Sequence, residues 1–315
     1  MSNIPERSRA LVVGESLVDI VRQHDRVVEH PGGSPMNVSF GLGRLGMDVT
    51  FLTRLGDDDR GRSLVEHLAS AGVVVVPGAV PGVQTSTAQA TLSENGSAEY
   101  HFEIDWSVDS DIGEVEADVL HFGSIAAFLS PGATGVRQLV ESRCHQLTVT
   151  FDPNIRPALL GERESAVVDV ERSVALCDVV KASDEDLEWL YPGESADAVA
   201  DRWIALGAGL VFVTRGCNGS LARTSAVRVE TPSRLVEVVD TIGAGDAYMA
   251  GIISALAAEG LLGGGHKARL RLADASVIAR VAERATECAA LTVARAGANP
   301  PRLHEVGLAA SGETV

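Results

Sequence analysis

Short runs of branched apolar residues alternate with segments of helical periodicity along most of the chain. The runs are apolar throughout, which predicts strands buried on both faces of a mostly parallel sheet. Helical segments between the runs are typical of an α/β domain with helices on both sides of the sheet. The predicted strands are Ala10–Val13, Val49–Leu52, Val73–Val76, Val119–Phe122, Leu147–Phe151, Val179–Lys181 and Leu210–Thr214, and the predicted helices include Pro35–Leu45, Gly61–Ala71, Ala133–Arg143 and Asp184–Leu190.

Two segments interrupt this alternation and predict a second, smaller sheet. Leu17–His30 and Thr85–Ile104 alternate between apolar and polar residues, carry hairpin signals at Gln23–Asp25 and Glu94–Ser97, and contain no helix. A small sheet projecting over a ligand site would act as a lid. We therefore expect one domain over residues 1–315, with lid strands within about 16–34 and 84–110.

The stretch Asp240–Asp246 (Asp-Thr-Ile-Gly-Ala-Gly-Asp) contains the most informative candidate chemistry. Branched apolar residues at Leu235–Val239 predict a strand before it. Helical spacing without proline at Ala247–Ala258 predicts a helix after it. The glycines of this stretch are therefore expected where a strand turns into a helix.

Such a turn suits an anion. The backbone amides of Gly243, Ala244 and Gly245 would converge at the positive end of the helix dipole, where they could hold charge on a transferred phosphoryl group. An ionised Asp246 would repel phosphate, so it fits better as the base that takes a hydroxyl proton. The alternative interpretation is an ordinary glycine loop followed by an acidic residue in the first helical turn.

Composition narrows the class of protein. The formal net charge of the 315 residues is −17, which argues against nucleic acid and anionic membrane surfaces as partners. No apolar run approaches the length of a membrane span, and the polar first residues predict no signal peptide. The four cysteines are scattered, which favours buried free thiols in a reducing cytoplasm over zinc or disulfides.

A glycine pattern at Gly41–Gly46 matches the dinucleotide fingerprint, but in the wrong context. The fingerprint has meaning only after a strand and at the start of a helix. Here it ends the helix predicted from Pro35 and precedes the strand at Val49. Gly46 is better explained as a left-handed helix stop, with the two earlier glycines allowing close packing. This argues against a dehydrogenase.

Two motifs together resemble the ribokinase-like sugar kinases, often called the PfkB family. Asp240–Asp246 resembles the family's C-terminal signature, and Gly32–Asn37 (Gly-Gly-Ser-Pro-Met-Asn) with Gly56–Gly61 resembles its N-terminal signature. The resemblance covers nearly the whole chain. It implies a Rossmann-like three-layer α/β/α core, a mostly parallel sheet and a β-sheet lid through which a homodimer could form.

The resemblance also implies a sugar site. Asp19 would accept hydrogen bonds from sugar hydroxyls, beside Gly33 and Asn37 of the Gly-Gly turn. Asp152–Arg156 (Asp-Pro-Asn-Ile-Arg) resembles the fructokinase and ketodeoxygluconate-kinase branches, and Asn154 and Arg156 would contact the sugar and the transferred phosphate. An exposed strand-end acid and a structural salt bridge are the alternatives for Asp19 and Arg156.

A nucleotide site is implied at the ends of two further predicted strands. Ser183 and Asp186 predict a capping box and stand where the family has an "Asn-x-x-Glu" motif that affects Mg²⁺ binding. The remaining implied nucleotide contacts are Lys181, Thr214, Gly216 and Gly219. In potassium-activated members a cation lies near the position of Asp240, which makes K⁺ a candidate ligand beside ATP and Mg²⁺.

These observations predict an ATP-dependent kinase that phosphorylates a primary hydroxyl of a small sugar. Fructose is the first expectation and 2-keto-3-deoxygluconate the second, with ribose and nucleosides behind them. A protein that kept the fold as a sugar sensor is the non-enzymatic alternative. The intact Gly243–Asp246 turn argues against that alternative, because its loss would abolish the chemistry most simply.

Overall fold

A computed structural model describes residues 7–23, 26–76, 79–80, 82–92 and 98–307. His24 and Asp25 of the first predicted hairpin signal, Glu94–Ser97 of the second and the tail from Ala309 lie outside the described residues. The strands are β1 Arg9–Val13, β2 Leu17–Gln23, β3 Arg26–Gly32, β4 Asp48–Leu52, β5 Leu55–Gly56, β6 Val74–Val76, β7 Ala79–Val80, β8 Thr87–Leu92, β9 Ala98–Glu103, β10 Val119–Gly123, β11 Thr148–Asp152, β12 Val179–Ser183, β13 Leu210–Thr214, β14 Ser220–Arg223 and β15 Arg228–Thr231.

Helices connect most of these strands. They are α1 Ser34–Arg44, α2 Asp59–Ala69, α3 Gly132–Arg143, α4 Pro157–Leu160, α5 Arg163–Val174, α6 Asp184–Leu190, α7 Ala196–Leu206, α8 Ala244–Ala258, α9 Lys267–Arg271 and α10 Ala275–Val293. Short 3-10 turns add Ser124–Ala127, Gly216–Asn218, Gly264–His266 and Leu303–Glu305. None of the described helices combines the length and apolarity needed to cross a membrane.

The main sheet has nine strands in the order β15-β14-β13-β12-β11-β10-β1-β4-β6. All neighbouring pairs from β13 to β6 are parallel, whereas β14 and β15 add an antiparallel edge. The seven predicted strands are all present here. Parallel strands place their carboxyl ends at one edge of the sheet, where α/β proteins bind ligands.

The core lies in two layers, one on each face of this sheet. One layer packs under α1, α2, α8 and α10, and the other packs under α3, α5, α6 and α7. Phe51, Phe151, Phe212 and Trp203 are fully buried among these helices. The arrangement confirms the predicted three-layer α/β/α core.

A separate sheet of four strands, in the order β3-β2-β8-β9, is built from the two interrupting segments. Strands β2 and β3 are antiparallel, and Asp19 pairs with His30 in their register. Strand β2 follows β1, and β3 leads into α1 through Gly33. The hairpin therefore leaves and rejoins the body at the carboxyl edge of the main sheet.

Two local predictions are wrong. Leu235–Val239 forms no strand: Leu235 is fully exposed, and the segment runs along α10, where the carbonyl of Val293 accepts the amides of Val239 and Asp240. The expectation that all cysteines are buried also fails. All four are free, but Cys217 is exposed.

The glycines of the false dinucleotide pattern have structural roles. A Cβ at Gly41 would lie 3.0 Å from the Cβ of Ala250, and one at Gly43 would lie 2.4 Å from the carbonyl oxygen of Ala71. Gly46 has a φ of 86°, as a helix stop requires. Close packing and helix termination therefore explain all three glycines.

Candidate active site

Helix α8 begins at Gly243, whose φ of 76° is in the left-handed region. No side chain caps this helix, and its first turn carries one acidic residue, Asp246. Because the first amides of a helix have no partner within the helix, an uncapped start leaves donors available. The predicted anion cradle, Gly243, Ala244 and Gly245, lies at this end of α8, where the amide of Ala244 donates to the carbonyl oxygen of Thr241 at 3.3 Å.

The carboxylate of Asp246 is held by two donors from the start of helix α1. Ser34 Oγ donates to Asp246 Oδ1 at 2.6 Å, and Asn37 Nδ2 donates to Oδ2 at 2.8 Å. The two predicted signatures, which lie far apart in the sequence, therefore meet in one hydrogen-bonded group. Ser34 is part of the motif but was not predicted as a site residue.

The Gly32–Gly33 turn fits tightly against this group. A Cβ at Gly33 would lie 2.7 Å from the carbonyl oxygen of Glu15, and its φ is 105°. A Cβ at Gly32 would lie 2.1 Å from Asp19 Oδ2. Glycine is therefore required twice, because the chain passes directly over the end of β1 and beside Asp19.

Asp19 faces charged neighbours from three elements. Burial raises the pKa of Asp19 to about 6, and the nearby charges of Arg156 and His30 offset that rise only in part. Asp246 contributes a further upward effect. Arg156 is exposed at the start of α4, and His30 is the register partner of Asp19 on β3. His30 was not predicted, although the hairpin pattern places it opposite Asp19.

Two strained turns support the predicted sugar residue Asn154. Asn154 has a φ of 38° and Ser124 a φ of 53°, and both are non-glycine residues in the left-handed region. Asn154 Nδ2 donates to Ser124 Oγ at 3.3 Å. Backbone strain of this kind clusters at functional sites, where surrounding structure enforces it. Ser124 carried no sequence signal.

A buried glutamate stabilises the turn at Ser124. Glu15 is 2% exposed, and its Oε2 accepts the amide of Ala126 at 3.0 Å. Burial raises the pKa of Glu15 to about 7, while hydrogen bonds from the backbone and Ser124 act in the opposite direction and nearby Asp246 adds to the rise. Glu15 thus joins the end of β1 to the turn after β10.

The structure gives Lys181 a different environment from the predicted nucleotide contact. Its side chain is 4% exposed, and Nζ donates to Asp152 Oδ2 at 2.9 Å. Lys181 is therefore a buried partner of the last residue of β11. Both side chains of this pair are buried at the carboxyl end of the sheet, and the predicted contact between Lys181 and the nucleotide stays a prediction.

The carboxylate of Asp186 is likewise occupied. Its Oδ2 accepts the amide of Ser183 and its Oδ1 accepts the amide of Ile155, both at 2.8 Å. Ser183 Oγ accepts the amide of Asp186, which confirms the predicted capping box. This carboxylate therefore caps α6 and fixes the turn before Arg156, and direct metal ligation by Asp186 stays a prediction.

The turn between β13 and β14 lies beside Ser183. Thr214 is the register partner of Ser183 at the carboxyl ends of adjacent strands. Gly216 and Gly219 both have positive φ, and a Cβ at Gly219 would lie 2.1 Å from the carbonyl oxygen of Thr231. The predicted nucleotide residues other than Lys181 thus line one continuous edge.

The side chain of Asp240 links the turn before α8 to the segment around Gly297. Its Oδ1 accepts the amide of Ile242 at 3.0 Å, and its Oδ2 accepts the amide of Gly297 at 2.9 Å. The structure therefore joins the start of the Asp240–Asp246 stretch, which the family resemblance associates with K⁺, to the segment around Gly297. Within the described ranges, no three His, Cys, Asp or Glu side chains are grouped to hold a metal ion.

Comparison with known proteins decides the family. The sequence profile of the pfkB family of carbohydrate kinases matches residues 8–305. The chain belongs to this family. It is therefore a carbohydrate kinase with a ribokinase-like fold, and the dehydrogenase alternative is excluded.

Relatives of this pfkB kinase include several fructokinases. A fructokinase of Rhizobium leguminosarum bv. trifolii is 34% identical over 265 residues, which cover 80% of this chain and 81% of the relative. The fructokinase of Xylella fastidiosa with bound ATP has a TM-score of 0.78 and 27% identity, covering 92% and 93% of the two chains. A fructokinase double mutant of Vibrio cholerae O395 with fructose, ADP and potassium ion has a TM-score of 0.77 and 26% identity, covering 92% and 94%.

In this pfkB kinase, the predicted sugar residues and the predicted nucleotide residues lie along different parts of the carboxyl edge of the main sheet. Asp19, Gly33, Asn37, Asn154 and Arg156 lie around the carboxyl ends of β1, β10 and β11 and the root of the small sheet. The residues at the ends of β12 and β13 lie farther along the same edge. Helix α8 presents Asp246 and the open amides to this edge.

Proposed function

We propose that this pfkB kinase is an ATP-dependent fructokinase that transfers the γ-phosphoryl group of ATP to a primary hydroxyl of D-fructose. The observation that carries the proposal is the position of Asp246, whose carboxylate lies where helices α1 and α8 meet. A carboxylate oriented by Ser34 and Asn37 stands in the first turn of an uncapped helix, so a base and an anion cradle adjoin. This arrangement suits phosphoryl transfer, in which the protein mainly positions groups and stabilises charge.

In the proposed reaction, Asp246 takes the proton of the sugar hydroxyl as its oxygen attacks the γ-phosphorus. The bond from that phosphorus to the bridging oxygen of ATP breaks, and ADP leaves with the electron pair. The Gly243–Gly245 amides stabilise the negative charge on the transferred group. Ser34 and Asn37 keep the carboxylate aimed, because each donates to a different oxygen.

The sugar is proposed to lie between Asp19, Asn37, Asn154 and Arg156, beneath the four-stranded sheet as a lid. Closure of that lid would exclude water and limit ATP hydrolysis. The nucleotide is proposed to lie along Ser183 and the Thr214–Gly219 turn. Of the relatives compared above, one holds fructose with ADP and another holds ATP, which supports both substrates for this chain.

Magnesium fits this site as an ion carried by the nucleotide. Both oxygens of Asp186 already accept backbone amides, so the chain offers few free carboxylate ligands there. Mg²⁺ commonly keeps several waters and binds through substrate phosphates, where it would neutralise the β- and γ-oxygens. K⁺ is proposed near Asp240 and the carbonyl of Ile242.

Charge distinguishes fructose from ketodeoxygluconate. A substrate carboxylate needs a dedicated cation, whereas Asp19 would repel it. Arg156 and His30 interact with Asp19, and the family resemblance also assigns Arg156 to the transferred phosphate, so no cation in this pocket is reserved for a substrate carboxylate. A neutral sugar therefore suits this pocket better.

The test measures ADP release by purified protein with Mg²⁺ and ATP. We expect faster release with D-fructose than with 2-keto-3-deoxygluconate, D-ribose or a nucleoside at equal concentration. A preference for ketodeoxygluconate would overturn the substrate and leave the kinase assignment intact. No transfer to any sugar, with sugar binding retained, would favour the sensor alternative.

A further inference from the structure

The chain has only two lysines, and both form ion pairs with aspartates at opposite ends of the main sheet. Lys181 pairs with Asp152 at the carboxyl end, with side chains 4% and 1% exposed. Lys267 pairs with Asp178 at the other end, where Asp178 also accepts the amide of Val149. The proposed reaction uses neither pair, but only the first one adjoins the catalytic turn.

Lys181 reaches the underside of the anion cradle. A Cβ built on Gly245 would lie 2.9 Å from Lys181 Nζ and 4.0 Å from its Cε, and no other atom beyond the helix's own backbone and its chain neighbours lies within 4 Å of that position. The absent side chain at Gly245 therefore leaves the space that the ammonium group approaches. The requirement for glycine here comes from this cation as well as from the turn.

The charges around this lysine are unbalanced. Asp152, Asp186 and Asp246 all interact with Lys181, and together they hold its pKa above the ordinary value although burial alone would lower it. Burial raises the pKa of Asp152 to about 6 despite the opposing effect of Lys181. An anionic phosphoryl group that arrives at α8 thus meets several carboxylates and one buried cation. Without that cation, the carboxylates would repel it unopposed.

We propose that Lys181 is a positioning residue for phosphoryl transfer, and that its ammonium group, set beneath Gly245, keeps the α8 turn attractive to the transferred phosphoryl group. The inference rests on the proposed function. It differs from the predicted direct contact with ATP, because the buried ammonium group of Lys181 would act by its charge from beneath Gly245 while bound to Asp152. A purely structural role, in which the pair only fills the core, is the rival explanation.

The deciding variant replaces both partners, Asp152→Asn with Lys181→Met, so that no lone charge is left buried. The double replacement Asp178→Asn with Lys267→Met is the matched control at the opposite end of the sheet. We expect the first variant to fold, to lose about 100-fold or more in kcat, and to keep the KM for the sugar within about threefold. The control should keep the kcat of the unmodified protein. Equal kcat in both double variants would overturn the proposal.

Calorimetry of ADP binding together with orthovanadate measures the affinity of the Gly243–Gly245 amides for an anion without turnover. We expect Asp152→Asn/Lys181→Met to bind this pair about tenfold more weakly than the control variant, while ADP alone binds equally to both. Equal vanadate binding would overturn the inference even if no sugar were phosphorylated. Absent transfer by the unmodified protein, with the difference in vanadate binding preserved, would overturn the proposed function alone.

Lys181→Arg and Lys181→Gln decide the matter if the double variant does not fold. Only the arginine keeps a cation beneath Gly245. At equal folded fraction, we expect kcat to be at least tenfold higher for Lys181→Arg than for Lys181→Gln. Equal values for the two would show that charge at this position is irrelevant, which would overturn the proposal.

Discussion

Asp246 derives its proposed role from residues on another helix. Its neighbours along α8 supply amides, but the orientation of its carboxylate comes from Ser34 and Asn37 on α1. A carboxylate with a donor on each oxygen is fixed in both position and rotation. Such preorganisation is what general base catalysis requires of a side chain.

Replacing Asp246 with asparagine preserves the shape and removes the basicity. We expect kcat to fall by about 10²–10⁴ while ADP binding, measured by calorimetry, persists. Turnover close to that of the unmodified protein would remove Asp246 as the base. Loss of ADP binding would mean that the replacement had disturbed the α8 turn rather than the chemistry.

Asp19 should make sugar binding dependent on pH. Its pKa is about 6, so the carboxylate is ionised above that value and protonated below it. Since an ionised carboxylate accepts two sugar hydroxyls better than a carboxylic acid does, the KM for fructose should rise as pH falls below about 6. Steady-state kinetics between pH 5 and 8 measure this.

The control for that experiment is Asp19→Asn. It should have a raised KM for fructose at pH 8 and lose most of the rise at low pH, because the titrating group is gone. The KM for ATP should change less than the KM for fructose. An identical pH profile in both proteins would assign the dependence to another group, such as Asp152.

At the scale of elements, the described helices differ in whether a side chain caps their first turn. Helices α2, α6, α7 and α10 begin with capping side chains: Asp58, Ser183, Ser195 and Asp274. Among the described α-helices, those with a glycine at the N-cap position are α1 and α8, with Gly33 and Gly243, and the two meet at Asp246. Helices α3, α4, α5 and α9 also lack a capping side chain, so α1 and α8 are distinguished by their N-cap glycines and their meeting at Asp246.

Gly245→Val tests the open end of α8. A branched side chain would press on Lys181 Nζ, 2.9 Å from the position of its Cβ, and would crowd the approach of phosphate. We expect kcat to fall by at least about 100-fold while circular dichroism shows a folded protein. The matched control is Gly265→Val, whose Cβ would have no atom within 4 Å, and it should keep its activity. Full activity of Gly245→Val would show that the Gly243–Gly245 turn is an ordinary loop with no part in phosphoryl transfer.

Elements buried on both faces could be predicted from the sequence, and contacts across the fold could not. Strand β13 has the predicted bounds, Leu210–Thr214, because continuous burial leaves an unambiguous apolar run. Leu235–Val239 is also rich in branched apolar residues but contains Glu237 and forms no strand, so strand propensity alone did not decide the structure of this segment. Ser34 was missed because its partner is 212 residues away, and Glu15 because its burial depends on the turn at Ala126.

For the whole molecule, the buried acids impose a pH dependence on stability. The folded pKa of Glu15 is about 7 against an ordinary value of 4.5, so the folded state binds this proton more tightly than the unfolded chain does. The stabilisation is therefore complete below about pH 4.5 and is lost as pH rises through about 7.

Glu15→Gln should remove that dependence. The difference in free energy of unfolding between the variant and the unmodified protein should shift by about 2–3 kcal/mol in favour of the variant from pH 5 to pH 9. Urea unfolding at the two pH values measures it. The amide oxygen can still accept from Ala126, so the slope is informative even if the variant is less stable overall. A pH-independent difference would contradict the raised pKa.

The pairing of both lysines has a chemical consequence beyond catalysis. Reducing sugars condense with unprotonated amines to form Schiff bases, and an open-chain ketose offers a carbonyl for this. In this protein each lysine ammonium is bound to an aspartate carboxylate, Lys181 to Asp152 and Lys267 to Asp178, and the other basic side chains of the Lys and Arg class are guanidinium groups. If fructose is the substrate, as proposed above, it meets no lysine amine without an aspartate partner, and slow glycation of lysine side chains should be confined to Lys267, whose side chain is 23% exposed against 4% for Lys181.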